Sequence, residues 1–99
     1  MAAVDRSLLE RWRSLDSVYV LSAIADYAKR DLSFAPVKSA ATQRWHVSMG
    51  GRDFELLLTG AKFWDTRAEV GGGGAVDLSM HLAGLEFKDA VRLLLERQV

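Results

Sequence analysis

The stretch RWHVSMGGRDFELLLTGAKFWDT, residues 44–66, decides the fold, because its apolar residues recur every second position. Trp45, Val47 and Met49 alternate with Arg44, His46 and Ser48, the pattern of a strand with one face in a core. Gly50-Gly51 follows, a pair that takes positive φ without steric cost and so makes a tight hairpin. In the next run, Asp53 to Thr59, the residues Phe54, Leu56 and Leu58 share a face. Thr59-Gly60 then turns the chain into a third strand over 61–66. The period predicts a three-stranded antiparallel meander, with Trp45, Phe54, Leu56 and Phe63 in the core.

Outward from the meander the period lengthens. Upstream, Asp5 is placed to cap a helix in which Leu8, Leu9, Trp12 and Leu15 return at three- and four-residue spacing. Asp16 or Ser17 starts a second, in which Leu21, Ile24, Ala25 and Ala28 form an apolar set between Val18 and Lys29, and Lys29 and Arg30 sit where cations favour the helix dipole. The segment Ser33 to Gln43 holds the single proline and no period, and reads as an irregular connection. Downstream, Gly71 to Gly74 read as a turn before helices over 75–82 and 86–97. Asp77, Glu86 and Asp89 lie in first turns, where carboxylates favour the dipole. Leu78, Leu82, Phe87, Val91, Leu94 and Leu95 are the expected packing positions, with Phe87 buried and both helices covering the apolar face of the sheet. The fold class is α+β: N-terminal helices (1–30), a three-stranded antiparallel sheet (44–66) and two C-terminal helices (74–97) in one domain, 1–99.

Composition narrows the function. At 99 residues the chain supports one core, burying about two-thirds of its unfolded surface. An apolar content of 49% excludes disorder, and 13 basic against 13 acidic side chains leave no global field toward nucleic acid or membrane. No apolar run approaches the roughly 20 residues of a membrane span. Without cysteine, disulfides are impossible and the redox compartment stays open.

Local chemistry is sparse. There is no G-x-S-x-G elbow, no H-E-x-x-H and no carboxylate cluster of a two-metal centre, so no catalytic residue is assigned and the chain is read as a non-enzyme, or as one domain of a larger one. His46 and His81 lack a Cys, Asp or Glu at ligand spacing and read as surface or half-buried. The strands carry Arg44, His46, Arg52, Lys62, Trp64 and Arg67, a mixture of cations and an aromatic ring that suits single-stranded DNA: cations follow phosphates while a ring stacks on a base. Asp53, Glu55 and Asp65 interleave with these cations and weaken their potential. Trp64 separates the readings, since an exposed indole on a polar face favours a ligand and a buried one is core. Gly73 and Gly74, ahead of a helix, add amides for an anion, although the Lys-Ser/Thr step of a phosphate loop is absent.

The last third, VGGGGAVDLSMHLAGLEFKDAVRLLL (residues 70–95), resembles the end of the zinc-ribbon (CHC-type) domain of bacterial DNA primases, through Gly72, Gly73, Ala75, Val76, Asp77, Met80, Gly84, Leu85, Phe87, Ala90 and Val91. Pro36, Thr42, Trp45 and Val47 match the family more loosely upstream. The alignment places Ala35, Lys38, Thr66 and Glu69 where the primases carry zinc ligands, so all four are lost. The chain is therefore similar to degenerate, cysteine-free copies at the front of Toprim, primase-like or relaxase proteins of mobile elements. That likeness implies a metal-free module without cofactor, monomeric and off the membrane, in a bacterial cytoplasm. It implies contact with single-stranded DNA in replication or plasmid transfer through the sheet face that meets template in the primases, or positioning of an adjacent primase or Toprim domain. The competing expectation is a protein-interaction or structural module that lost its DNA surface with the metal.

Overall fold

The computed structural model describes residues 5–99, so positions 1–4 of the predicted helical stretch 1–30 lie outside the described residues. Its elements run α1 (Arg6–Ser14), α2 (Ser17–Ile24), β1 (Tyr27–Arg30), β2 (Gln43–Met49), β3 (Arg52–Thr59), β4 (Lys62–Asp65), β5 (Val70–Gly73), α3 (Ala75–Ala83) and α4 (Phe87–Glu96). The strands form one antiparallel sheet in the order β1-β2-β3-β4-β5. The fold is α+β, and the expected three-stranded sheet is corrected to five strands.

The predicted hairpin is present. Gly50 and Gly51 take φ +59° and +78°, setting Met49 opposite Arg52 and Val47 opposite Phe54. Gly60, at φ +57°, makes the next turn and sets Thr59 opposite Lys62. The two additional strands come from segments whose residue types concealed them. The helix expected over Val18–Lys29 ends at Ile24, because Asp26 grips the hairpin: its amide donates to the Ser48 carbonyl and its carboxylate accepts from Gly50 N at 2.8 Å. The chain beyond it becomes β1, with Ala28 opposite Val47. Gly71 to Gly73 are strand rather than turn. A Cβ on Gly71 would lie 2.8 Å from Trp64 Cε3, and one on Gly72 would lie 2.9 Å from Phe63 Cε1, so aromatic rings from β4 fill the space that side chains of β5 would need.

One face of the sheet is closed. Val47, Met49, Phe54, Leu56, Leu58 and Phe63 join Trp12, Val20, Leu21, Ile24, Leu78, Leu82, Val91 and Leu94 in one core. The Asp5 carboxylate caps α1 through Ser7 N at 2.9 Å, and Trp12 Nε1 donates to the Val99 carbonyl, also in the core. The expectation that both C-terminal helices cover the sheet is corrected: α2 and α3 meet its strands, and α4 packs on α3. Phe87 is likewise corrected. It is 48% exposed, because the buried stripe of α4 begins one turn later at Ala90, Val91 and Leu94.

Candidate nucleic-acid interface

Strand alternation assigns the second face. Tyr27 and Lys29 on β1, Arg44, His46 and Ser48 on β2, Asp53, Glu55, Leu57 and Thr59 on β3, and Lys62 and Trp64 on β4 share the parity opposite the core set. Most of these residues are half-buried or exposed, and helices pack only on the other side. Trp64 is 44% exposed and lies against Gly71 of β5. Lys62, exposed, precedes it by one full pleat.

The connection between β1 and β2 converts this open face into a groove of about 820 Å³. Phe34, Pro36 and Val37 of the connection line one side, and Leu57, Thr59 and Trp64 of the sheet line the other. Lys38 and Lys62 are the charged residues of the lining, which contains no carboxylate. Arg44 holds the connection in place. Its guanidinium bonds the Asp31 carboxylate, with Nε at 2.8 Å, reaches Glu55 Oε1 at 3.3 Å, and stands 5.3 Å from the Phe34 ring centroid. Hydrogen bonds from the Ser33 hydroxyl, the Arg44 guanidinium and the Ser33 amide hold the Asp31 carboxyl well below the usual carboxylate range. At the other end Thr42 Oγ1 and Thr59 Oγ1 lie 2.7 Å apart.

The residues singled out from sequence divide accordingly. Trp64 and Lys62 stand together at the groove. Arg44 lies on the same face but is matched by two carboxylates. His46, with Nε2 3.9 Å from Asp31 Oδ2, and Arg67, from the β4–β5 turn, border a separate hollow with Tyr27, Ser48 and Asp53. Arg52 does not belong to the open face. Its guanidinium stacks 5.0 Å from the Phe54 ring centroid and donates to the His81 carbonyl at 3.3 Å. The amides of Gly73 and Gly74 are taken, by Asp77 Oδ2 at 3.3 Å and by the Ala61 carbonyl at 2.9 Å, and Gly74 is buried against Arg13. The expected phosphate contact at these glycines has no free donor.

Sequence reasoning placed Asp65 among the surface carboxylates, and the structure reverses it: Asp65 faces the core and is 3% exposed. Its Oδ1 accepts from the amides of Arg67 and Ala68, each at 3.0 Å, and its Oδ2 lies 2.6 Å from His81 Nε2. The carboxylate only accepts, so Nε2 carries the proton. The His81 ring sits between Phe54 and Phe63, with centroids 5.7 and 5.4 Å away. Burial raises the Asp65 pKa, but the Ala68 amide, His81 and the Arg67 amide outweigh it and leave the carboxyl below its ordinary value. The signal was available in the alternation, since Leu56, Leu58, Phe63 and Asp65 share one parity and an inward Asp demands a partner. No sequence spacing names His81 as that partner.

The donor set does not suit zinc at the positions implied by the primase likeness. The Thr66 hydroxyl is engaged with Glu55, Glu69 is exposed at φ +56°, and Ala35 and Lys38 supply no ligand atom. Among the described residues no group of three His, Cys, Asp or Glu side chains is placed to hold a metal. No helix among them is long and apolar enough to cross a membrane.

No protein-family model matches the chain, and no solved structure does. A stretch of 44 residues, 44% of the chain, is 43% identical to part of a protein named "65 kDa protein" from Zymomonas mobilis subsp. mobilis. The match covers 8% of that protein's length, and its name states a mass and no activity.

Proposed function

We propose that this chain is a non-catalytic module that contacts single-stranded DNA through the open face of its sheet. In this reading it is a metal-free relative of the primase zinc ribbon, acting in a bacterial cytoplasm beside a primase or Toprim domain. The observation that carries it is Trp64, 44% exposed beside Lys62 and across the groove from Lys38. A half-bare indole flanked by cations offers a π-face for a base and charges for its phosphates. Asp53 and Glu55 share the open face, but the groove lining holds no carboxylate: Asp31 and Glu55 face Arg44, and Asp65 is in the core.

Titration of a labelled oligonucleotide at low salt, followed by amide shifts, tests the reading. Shifts are expected on β3, β4 and the 31–42 connection, and affinity falls steeply with salt as counterions are released. Duplex DNA binds less well, since its bases are not free to stack. A second reading has its own support, because the groove is lined chiefly by Phe34, Pro36, Val37, Leu57 and Trp64, a surface that also suits an apolar segment of a protein partner. No shifts at millimolar DNA, or shifts confined to α1 around Arg11 and Arg13, would favour it.

A further inference from the structure

We propose that the groove between the Asp31–Thr42 connection and strands β3 and β4 is a pocket for one unpaired base of a DNA strand, with Lys38 and Lys62 taking the flanking phosphates. This rests on the single-strand reading above and adds where the base goes and which residues outside the sheet select it. The groove volume, about 820 Å³, falls in the range of small-ligand sites, roughly 300 to 1,000 Å³. A nucleotide fits in that volume.

The lining matches an anion that carries a flat ring. Trp64 offers its indole on the sheet side, while Phe34 and the almost fully exposed Val37 (96%) stand on the connection. Both cations lack a carboxylate within 4.0 Å among the described residues, whereas Arg44, on the same face, is matched twice. The groove is therefore positive within a chain of zero net charge. Hydroxyls at its end, Thr42 and Thr59, share one hydrogen bond and keep capacity for the polar edge of a base. The connection is tied to the sheet at its two ends, by Arg44 on Asp31 and by Thr42 on Thr59, while Val37 and Lys38 between them are exposed to an incoming strand.

The test compares a fluorescein-labelled oligodeoxythymidylate with an abasic strand of the same length, on the wild-type chain and on the Lys38→Ala and Lys29→Ala variants. Lys29 is a control cation, exposed on the same face but on β1. Loss of the base should weaken binding on the order of 10- to 100-fold. Lys38→Ala should lower affinity and flatten the slope of log affinity against log salt by about 0.7, the value of one single-strand phosphate contact. Lys29→Ala should leave both unchanged. If Lys29→Ala costs as much as Lys38→Ala, the strand runs over the open face without inserting a base, and the pocket is overturned while the single-strand reading stands; if the abasic strand binds equally well, no base stacks at Trp64 and the pocket and the stacking reading fall together. If neither strand binds at low salt, both fall together.

Discussion

Trp64 and Asp65 are neighbours on β4, and each stands on the side opposite to the one its chemistry favours. The large apolar ring is 44% exposed on the open face, while the carboxylate is 3% exposed in the core. The two faces treat their misfits differently. On the closed face every demand of Asp65 is met, by two amides and an imidazole, as burial of a charge requires. On the open face Trp64 covers Gly71 with one side of its ring and leaves the other bare. The buried charge is satisfied within the fold, and the ring on the open face keeps one side in solvent.

That contrast is tested from the closed face outward. Leu56→Ala, at a position fully buried in the middle strand, should cost about 2 to 5 kcal/mol in urea melts. Asp65→Ala strands His81 and two amides without an acceptor and should cost about 1 to 3 kcal/mol. The pH dependence has a definite sign. Because the folded carboxyl lies below its ordinary value, its contribution is fully present above the unfolded pKa of about 3.9 and is lost as pH falls through the folded value beneath it. The stability gap between wild type and Asp65→Asn should therefore be constant near neutrality and narrow in strong acid. A gap that stays the same down to pH 2 would mean the carboxylate is not held as described.

Between the faces, Gly72→Ala forces a methyl to within 2.9 Å of the Phe63 ring and should cost about 1 kcal/mol or more. The smallest effects belong to the half-exposed aromatics. Phe87→Ala and Trp64→Ala should each cost less than about 1.5 kcal/mol, since only about half of each ring is removed from water. They part company in function: Trp64→Ala should also lose about 1 to 3 kcal/mol of oligonucleotide binding, and Phe87→Ala none. Equal behaviour of the two variants in a binding titration would remove the distinction between the faces.

The legible parts of this fold were those where period and turn chemistry agreed. Trp45 to Leu58 alternates around Gly50-Gly51, and the register follows. Where the two disagreed, the sequence misled. Tyr27 to Arg30 continues a helical spacing by accident, and contacts remote in sequence, the ladder with β2 and the bond from Gly50 to Asp26 across 24 residues, hold it as a strand. Gly71 to Gly73 are poor strand formers, yet they pair with β4, and the Trp64 and Phe63 rings occupy the space that side chains there would need. At the candidate site Trp64 and Lys62 were legible from parity. Phe34 and Lys38 were not, because an irregular connection announces neither its path nor the face on which it lies.

The hydrogen bond from Trp12 Nε1 to the carbonyl of Val99 spans 87 positions and is buried. Closing a loop of that length carries a large entropic penalty before any contact compensates it, which makes this bond a late event in folding and an early casualty only when the whole core opens. Its indole proton is thus a built-in clock. It should exchange with deuterium at the rate of global unfolding, while the indole of Trp64, half in solvent, exchanges at once. Two signals of the same chemical type, read in one spectrum, would report the stability of the core and the freedom of the open face separately.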